Sequence, residues 1–407
     1  RFTENRHASP YPLPIGAVLR VVITSDSYLP RLGGQELGAF RLAKYLGRKG
    51  HQVRIITTEK HPLEGAEAGG LDVLRVPHAF GPLARHSLRR LLEMEFRHAD
   101  VVHSRYCYRL AALSAPVSRR IARRFVVSLH GMGLLDNPHD SPLRRWNHLR
   151  YRRKSLSLAD AVISTSSEFA HLASSYCEPS RIHVIPNGVD TDDFDASRPV
   201  PASLRQRYGS DRVVLAVRRL VPKNGIQYLV QAAPLVLKSC PGARFIIGGW
   251  GSHEEALRRM TRELGVDSRF DFVGTIPNSE VAGYLALAEV VVFPSSMEST
   301  SHACLEAMAM GKPVVASRLG GLAELLGEND RGVLVDLFGS PMSTYDAPPS
   351  LPQDATARLA AAIAELLGDP ALARRIGEAG QRYALAHFDW NALVERIVDV
   401  YRGEASS

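Results

Sequence analysis

Short apolar segments alternate with amphipathic helical patterns along most of this 407-residue chain, and the alternation restricts the fold more than any other feature. The apolar segments are rich in Val and Ile, and several are apolar at consecutive positions, as expected for strands covered on both faces of a sheet. Between the first two segments, apolar residues recur at helical spacing over residues 37–46, and Gly50 provides a stop signal. Strand–helix–strand units of this kind build parallel sheets. The predicted strands are residues 18–26, 53–59, 72–77, 100–104, 124–131, 160–166, 182–189, 212–220, 243–249, 269–274, 290–295, 313–318 and 332–336.

The strand segments fall into two series, separated by an acidic, proline-containing stretch at residues 190–203 that has the composition of a linker. Two doubly wound α/β sheets fit this division better than one very large sheet. We therefore expect a Rossmann-like N-terminal domain at residues 18–192 and a Rossmann-like C-terminal domain at residues 193–385. Residues 1–17 are expected to be a disordered tail outside the fold. Residues 386–403 predict an amphipathic helix that crosses back onto the N-terminal domain.

The composition is that of a soluble globular protein, with 45% hydrophobic and 23% charged residues. The formal charge of +8 favours anionic partners such as phosphorylated substrates, nucleotides, nucleic acid or an anionic membrane surface, although many soluble proteins are simply basic. The four cysteines form no CxxC pair and have no metal-ligand spacing, so we expect them to be reduced, as in a cytosolic protein. No apolar run approaches the roughly 18 residues that a membrane-spanning helix needs.

The stretch ESTSHACLEAMAMG, residues 298–311, places Glu298 and Glu306 eight positions apart at the start of a predicted helix. The Ser and Thr residues between them are good N-cap residues, and the N–H groups of a helix N-terminus bind anions. A carboxylate accepts hydrogen bonds from vicinal sugar hydroxyls, so the pair suits a ligand with both sugar and phosphate. The simpler interpretation is that Glu298 caps the helix and Glu306 is a solvated surface charge.

Several motifs in order resemble the GT-B retaining glycosyltransferases of group 1, family 4 of the glycosyltransferase classification. The resemblance covers residues 18–403. It implies two Rossmann-like, doubly wound parallel-sheet domains that face each other across a cleft, with the ligand at the carboxyl ends of the strands. The motifs are the E-x7-E pair followed by AMAMGKPVVASRLGG, the glycine loop in YLPRLGGQELGAF, the histidine of VVSLHG, the junction VIPNGVDTDDF and the basic segment VRRLVPKNGIQYLVQA.

The resemblance implies an enzyme that moves a hexose of the glucose, N-acetylglucosamine or mannose type from a nucleoside-diphosphate sugar to an acceptor hydroxyl, with retention. A UDP-linked donor is the first expectation, and the acceptor is a glycan, a glycolipid or a small-molecule glycoside. Glu298 would then contact the donor sugar, Glu306 the ribose and His130 the transferred sugar. Arg219 and Lys223 would stabilise the leaving diphosphate.

The site expected from these motifs has three groups of residues. The catalytic residues are Glu298, His130, Arg219 and Lys223. The donor-binding residues are Gly33, Gly34, Arg219, Lys223, Asn224, Gly249, Gly274, Glu298, Ser299, Thr300, Ser301 and Glu306. The acceptor-binding residues are Gln35, Arg105, Tyr106 and His130. Taken one at a time, such residues also fit turns, surface charges or a structural histidine.

Two positions depart from the family pattern. Asn224 stands where a lysine usually follows the arginine by five residues, with Lys223 beside it, and Arg218 stands in place of a glycine. Either Lys223 turns inward to the diphosphate, or Asn224 makes a neutral contact and the phosphate is held less strongly. Asp190 and Asp192 satisfy the D-x-D pattern of metal-dependent glycosyltransferases of another fold. They lie at the interdomain junction, where the resembled family has no metal, so we expect neither a metal nor another cofactor.

Residues 141–155 interleave basic side chains with Trp146 and Tyr151, a pattern suited to an anionic membrane surface or a phosphorylated acceptor. The simpler interpretation is a solvated helix. Together with the basic residues 85–98, this segment predicts a cytoplasmic protein able to associate with the inner face of the membrane. No nucleic-acid partner is expected, and the sequence leaves the oligomeric state open.

Two other classes of function remain at this point. A nucleotide-sugar epimerase or hydrolase can share the double-sheet architecture but needs acid–base residues that the E-x7-E pattern does not supply. A non-catalytic protein that binds a membrane or nucleic acid would account for the charge. It would not account for the ordered glycine, His, Arg and Glu motifs at strand ends.

Overall fold

The computed structural model describes residues 13, 16–30, 34–60, 70–77, 81–130, 134, 140–298, 300–338 and 352–404. The chain divides into two compact units. The first unit comprises residues 1–187 and 390–407, and the second comprises residues 188–389. Each unit is built on one parallel sheet with helices around it, so the two doubly wound sheets predicted from the sequence are confirmed.

The sheet of the first unit has seven parallel strands in the order β3-β2-β1-β4-β5-β6-β7. Residues alternate between two cores: Val21 and Ile23 of β1 pack against one face of the sheet and Val22 packs against the other. Burial on both faces explains why the strand segments are apolar at consecutive positions. The strands are β1 Arg20–Ser25, β2 Gln52–Thr57, β3 Asp72–Arg75, β4 Val101–Arg105, β5 Arg124–Leu129, β6 Ala161–Ser164 and β7 Ile182–Val184. The helices are α1 Gly34–Arg48, α2 Pro82–Arg97, α3 Arg109–Arg120, α4 Pro142–Ser157 and α5 Ser167–Ala173.

The sheet of the second unit has six parallel strands in the order β10-β9-β8-β11-β12-β13. All thirteen predicted strands are therefore present, and most end one to five residues before the apolar segment does. The strands are β8 Arg212–Val217, β9 Ala243–Gly248, β10 Phe270–Gly274, β11 Val290–Phe293, β12 Val314–Ser317 and β13 Val333–Val335. The helices are α6 Ala202–Tyr208, α7 Ile226–Ser239, α8 Glu254–Glu263, α9 Asn278–Leu287, α10 His302–Ala309, α11 Gly320–Leu326, α12 Ala355–Gly368 and α13 Pro370–His387.

The last helix, α14 Trp390–Arg402, belongs to the first unit. Its apolar stripe is buried beside β1 and α1, with the rings of Trp390 and Tyr45 stacked at a centroid distance of 6.0 Å. The hydroxyl of Tyr401 lies 2.6 Å from Nδ1 of His103 on β4. The helix is thus part of the core of the first unit.

The boundaries between the two units differ from the predicted ones by a few residues. The expected boundaries lie after residues 192 and 385, whereas the two units divide after residues 187 and 389. The reason is a long-range pairing: Val189 forms an isolated parallel bridge with Asp389, and its N–H group donates to the Phe388 carbonyl at 2.8 Å. Residues 188–192 are thereby tied into the second unit. Of the predicted tail at residues 1–17, all but residues 13, 16 and 17 lie outside the described residues.

Among the described residues, no helix combines the length and the apolar character needed to cross a bilayer. The four cysteines are thiols that form no disulfide within the described residues, and Cys107 and Cys304 are buried. In both sheets the strand order reverses next to the first strand, between β1 and β4 and between β8 and β11. In open parallel sheets, ligands bind beyond the carboxyl ends of the strands at such a reversal. A ligand-binding site is therefore expected at the carboxyl ends of these two strand pairs.

Candidate active site

In the second unit, the loops after β8 and β11 bring Arg218 and Glu298 together. Nη2 of Arg218 donates to Oε2 of Glu298, and the two side chains are 7% and 15% exposed. The Arg218 guanidinium also lies over the ring of Phe293, at 5.3 Å from the centroid. The expected site residue Glu298 is thus ion-paired with a residue that the sequence analysis noted only as a departure from the family pattern.

The same two loops are tied by their backbones. Ser296 donates its N–H group to the Lys223 carbonyl at 2.9 Å. Gly225 has φ +76°, and a Cβ atom there would lie 1.7 Å from the Pro294 carbonyl oxygen. Only glycine fits so close an approach in this conformation, so the Asn224–Gly225 turn holds the β8 loop against the β11 loop.

Asn224 and Lys223 have different roles in this turn. Asn224 is buried, and its Nδ2 donates to the Arg219 carbonyl at 2.8 Å, which closes the loop. Lys223 is partly buried, and burial lowers the pKa of its ammonium group. The Glu298 carboxylate acts in the opposite direction, whereas Arg218 and Arg219 lower the pKa of Lys223 further. Both members of the Arg218–Glu298 ion pair therefore act on the pKa of Lys223. The side chain of Arg219 is exposed.

Helix α10 begins one residue after Ser301, whose Oγ accepts the N–H of Cys304 at 3.4 Å. Ser301 is therefore the N-cap, a role that the simpler interpretation of the sequence had assigned to Glu298. Glu306 is only 6% exposed, so it is not a solvated surface charge either. Thr300 is also buried, and Ser299 lies outside the described residues.

The glycines expected in the donor site shape the neighbouring strand ends. Gly249 follows β9 with φ +133°, and a Cβ atom there would lie 1.8 Å from the Arg218 carbonyl oxygen. Its N–H group donates to the carbonyl of Gly274, the last residue of β10, at 2.6 Å. The backbone of the loop after β9 thus lies directly against the backbone of Arg218. At α11, the N–H group of Gly321 donates to the Glu298 carbonyl at 3.3 Å.

In the first unit, His130 follows β5 and has polar neighbours on both ring nitrogens. Nδ1 lies 3.0 Å from Oδ1 of Asn187 and Nε2 lies 2.8 Å from Oγ of Ser128. An Nδ1–H group would donate to Oδ1 of Asn187, and the Ser128 hydroxyl is able to donate to Nε2 or to accept from an Nε2–H group. The hydroxyl of Tyr106 donates to the His130 carbonyl at 2.7 Å. These contacts fix the orientation of the imidazole ring, as a role in contact with a ligand requires.

Arg105 is the last residue of β4 and is 2% exposed. Within the described part of the chain, its Nε and Nη2 have no hydrogen-bond partner. Burial lowers the pKa of its guanidinium to about 10, and only the Tyr106 and Tyr401 hydroxyls act in the opposite direction. Tyr106 has φ +108°, which is rare for a residue other than glycine and recurs at functional sites. Gly34 is exposed at the start of α1, while Gly33 and the side chain of Gln35 lie outside the described residues.

Asp26 directly follows β1 and was not singled out in the sequence. Both carboxylate oxygens accept the N–H of Leu110, at 3.1 and 3.2 Å, at the N-terminus of α3. Burial raises the pKa of Asp26 to about 6, against the opposing effects of this hydrogen bond and of Arg109. An acidic residue at the end of the first strand was the available sequence signal.

The D-x-D pattern places one of its carboxylates against the backbone, where Oδ1 of Asp190 accepts the N–H of Asp192 at 3.3 Å. Within the described ranges, no group of three or more His, Cys, Asp or Glu side chains is placed to hold a metal ion.

The chain has the GT-B architecture of two doubly wound parallel sheets, which its structural neighbours share. The model of the family described as "Glycosyl transferases group 1" matches residues 204–343, and that of "Glycosyltransferase Family 4" matches residues 32–193. The chain belongs to this glycosyltransferase family and is an enzyme that uses a nucleotide sugar. Membership supports a transferase rather than the epimerase or the non-catalytic binding protein that the sequence had left open.

Two curated relatives and one solved structure illustrate the similarity. A GDP-mannose-dependent alpha-(1-6)-phosphatidylinositol monomannoside mannosyltransferase of Mycobacterium tuberculosis is 29% identical over 95% of this chain and 98% of its own length. A D-inositol 3-phosphate glycosyltransferase of Acidothermus cellulolyticus is 33% identical over 74% of this chain and 67% of its own length. The crystal structure of Anabaena HepE in complex with UDP and glucose superposes with a TM-score of 0.76 at 21% identity, covering 95% of this chain and 100% of HepE.

Proposed function

We propose that this glycosyltransferase transfers mannose from GDP-mannose to a hydroxyl of an acceptor that contains an inositol phosphate group. The names of both curated relatives describe acceptors with an inositol and a phosphate, as a phospholipid in one case and as a free phosphate in the other. The first relative is also named for GDP-mannose. The UDP-linked donor expected from the sequence is the rival, and the experiment below includes it.

The observation that carries the acceptor proposal is the state of Arg105. A buried cation without a carboxylate partner is costly, and a buried unsatisfied donor costs about 1–3 kcal/mol. A phosphate oxygen beside the unpaired Nε and Nη2 would satisfy both groups at once, because the guanidinium fork matches phosphate geometry. Arg105 ends a strand next to the point where the strand order of the first sheet reverses, where ligands of such sheets bind.

We propose that the reaction proceeds with retention, on one face of the sugar. The leaving diphosphate departs and the acceptor hydroxyl attacks from that same face, with the hydroxyl proton passing to a diphosphate oxygen. The ion pair of Glu298 with Arg218 supports this mechanism, because a carboxylate neutralised by a guanidinium is a weak nucleophile for a covalent glycosyl-enzyme intermediate. In this proposal Arg219 and Lys223 stabilise the charge on the departing diphosphate, and Glu298 and Glu306 contact the sugar and the ribose.

A matrix of donors and acceptors tests this function. Purified protein is incubated with GDP-mannose, UDP-glucose or UDP-N-acetylglucosamine, each with phosphatidylinositol, inositol 1-phosphate or unphosphorylated inositol, and products are identified by mass spectrometry and NMR. We expect mannosylated product only from GDP-mannose and the two phosphorylated acceptors, with the α configuration of the donor retained. Equal use of unphosphorylated inositol would refute the acceptor, and a preference for either UDP sugar would refute the donor.

Two variants separate phosphate recognition from general damage to the fold. Arg105→Gln should raise KM for inositol 1-phosphate at least tenfold, a loss typical of one charge-assisted contact. Arg124→Gln is the matched control, since Arg124 is also buried in the first sheet but starts β5 and donates to the Val400 carbonyl. The control should keep the KM of the parent enzyme. Equal KM values in the two variants would remove Arg105 from the acceptor site.

We also propose that the first unit binds anionic membrane through α2 and α4, as a lipid acceptor requires. On α4, Leu143 and Trp146 are 67% and 51% exposed, and the Arg150 guanidinium lies 4.4 Å from the Trp146 ring centroid. On α2, Leu83 and Met94 are 85% and 64% exposed. Both helices pack against α3. Exposed apolar side chains among arginines match the boundary between lipid headgroups and acyl chains.

Vesicle flotation tests this surface. The parent protein should float with vesicles of phosphatidylcholine and phosphatidylglycerol but not with phosphatidylcholine alone. Replacing Leu143 and Trp146 by serine should abolish flotation. The matched control is Trp250→Ser, because Trp250 is 54% exposed in the second unit and lies outside this surface. Flotation that is indifferent to lipid charge, or equal in the two variants, would refute the proposal.

A further inference from the structure

Arg218 is a buried cation at the point of strand-order reversal of the second sheet. Its backbone is fixed from two sides. The Arg218 N–H donates to the Gly248 carbonyl at 2.8 Å, and Gly249 presses against the Arg218 carbonyl. Its side chain lies over Phe293 and is 7% exposed. The fold therefore fixes both the backbone and the side chain of Arg218.

The two terminal nitrogens of Arg218 are in different states. Nη2 is bound to Glu298, whereas Nη1 is buried and has no hydrogen-bond partner within the described part of the chain. Because an unsatisfied buried donor is costly, natural proteins leave few of them. A donor of this kind beside an ion pair at a strand end is suited to an acceptor atom that arrives with a ligand.

The charges around Arg218 indicate which ligand that is. The charged groups that act on the Lys223 ammonium are Glu298, Arg218 and Arg219. With Lys223 itself, these are three cations and one carboxylate, a net charge of about +2. That charge matches the diphosphate of a nucleotide sugar, whose two phosphates carry two negative charges.

We propose that Arg218 is a third cation of the diphosphate subsite, with Nη2 held by Glu298 and Nη1 donating to a diphosphate oxygen. The inference rests on the proposed function in that the ligand is a nucleotide-sugar donor. It gives Glu298 a positioning role toward Arg218 in addition to any contact with the sugar. It also supplies the charge that Asn224 cannot, since the Asn224 amide is bound to the Arg219 carbonyl.

Calorimetric binding of GDP, UDP, inorganic pyrophosphate and guanosine tests the proposal. Arg218→Met keeps the aliphatic stem over Phe293 and removes the charge. It should weaken the binding of GDP and pyrophosphate at least tenfold and leave guanosine binding unchanged within about twofold, because guanosine has no phosphate for Arg218 to contact. Arg218→Lys should lie between the parent and Arg218→Met.

The double variant Arg218→Met/Glu298→Gln separates direct binding from simple neutralisation of Glu298. If Arg218 binds the diphosphate, removing the carboxylate does not restore binding, and pyrophosphate remains at least tenfold weaker than in the parent. Recovery to within twofold of the parent would mean that Arg218 only neutralises Glu298, and would overturn the proposal. Affinity unchanged in Arg218→Met would overturn it as well.

A control variant and two alternative variants complete the binding experiment. Arg331→Met is the matched control, since Arg331 also lies over an aromatic ring, that of Tyr383 at 3.8 Å, but precedes β13 at the amino edge of the sheet. It should bind GDP like the parent. If Arg218→Met fails to fold, Arg218→Lys and Glu298→Gln still report on pyrophosphate affinity, and unchanged affinity in both refutes the inference. A parent protein that binds neither GDP, UDP nor pyrophosphate would refute the proposed function instead.

Discussion

The two units use their strand ends in different ways. In the second unit, Arg218 is ion-paired with Glu298, the charges of Glu298, Arg218 and Arg219 act on Lys223, and two loops are tied by a backbone hydrogen bond. In the first unit, His130 is hydrogen-bonded to the neutral side chains of Asn187 and Ser128. The Arg105 guanidinium at the end of β4 is buried, and within the described residues its Nε and Nη2 have no hydrogen-bond partner. In our proposals, the strand ends of the second unit bind a doubly charged diphosphate and those of the first unit bind one phosphate. Charge, more than shape, distinguishes two sheets of the same architecture.

The largest effect is expected where charge is most concentrated. Glu298→Ala and Arg219→Ala should each lower kcat about 10²–10³-fold, as loss of a group that stabilises transition-state charge does. Only Glu298→Ala should also destabilise the fold, by about 3 kcal/mol, because it leaves Arg218 buried and unpaired while Arg219 is exposed. Steady-state kinetics and thermal unfolding measure the two effects. Equal thermal stability of the variants would show that the ion pair does not stabilise the second unit.

The tie between the β8 and β11 loops is tested by Gly225→Ala. The added methyl group would meet the Pro294 carbonyl at 1.7 Å in a left-handed backbone conformation, so we expect a loss of about 4 kcal/mol in the free energy of unfolding. Gly50→Ala is the control in the first unit, where φ is +86° and no atom lies within 4 Å of the added methyl. It should cost about 1–2 kcal/mol. Urea denaturation compares the two, and similar losses would contradict the close approach.

The stability of the first unit should depend on pH through the ionisation of Asp26. Burial raises its folded-state pKa to about 6, above the ordinary value of 3.8, so the native state binds more protons than the unfolded state between these values. This contribution to stability is fully present below pH 3.8 and is lost as the pH rises through 6. Asp26→Asn should remove the loss and gain about 3 kcal/mol relative to the parent at pH 7. Urea denaturation from pH 4 to 7 measures the free energy of unfolding of both proteins. If the difference between Asp26→Asn and the parent does not increase with pH, the prediction is wrong.

The smallest effect concerns Arg105, whose burial without a carboxylate contrasts with the paired Arg218. Arg105→Met should raise the free energy of unfolding by about 1–2 kcal/mol, because an apolar side chain replaces a buried charge. The same change should impair use of a phosphorylated acceptor. A thermal-shift measurement with and without inositol 1-phosphate checks both effects. Lower stability without ligand would show that Arg105 supports the fold of the first unit.

The sequence predicted the strands well because strands buried on both faces need runs of Val and Ile, a local signal. The two units divide four or five residues from the predicted boundaries, because the Val189–Asp389 bridge joins residues far apart in the chain, and no local sequence pattern indicates such a pairing. Most predicted strands also extend a few residues beyond the C-terminal end of the observed strand. The apolar segments continue into the loops, where residues such as Ile185 remain buried after the ladder has ended.

For the site, the sequence predicted roles for Glu298 and for the cations after β8, which stay predictions, and it did not indicate the partner of Glu298. Arg218 and Glu298 are 80 residues apart, so their pairing depends on the order of β8 and β11 in the sheet. The available signal was an arginine where the family pattern has a glycine. The state of Asn224 was equally hidden, because only the folded turn shows that its amide is bound to the Arg219 carbonyl.

The position of α14 has a consequence for the order in which the chain matures during synthesis. Trp390, Val394 and Tyr401 belong to the core around β1 and α1, although they are made after the whole second unit. The second unit is continuous and can complete its core while the ribosome is still adding residues. The unit that begins first therefore finishes last, and a ribosome that stalls before residue 402 leaves the apolar surface of α1 and β1 open to chaperones and proteases.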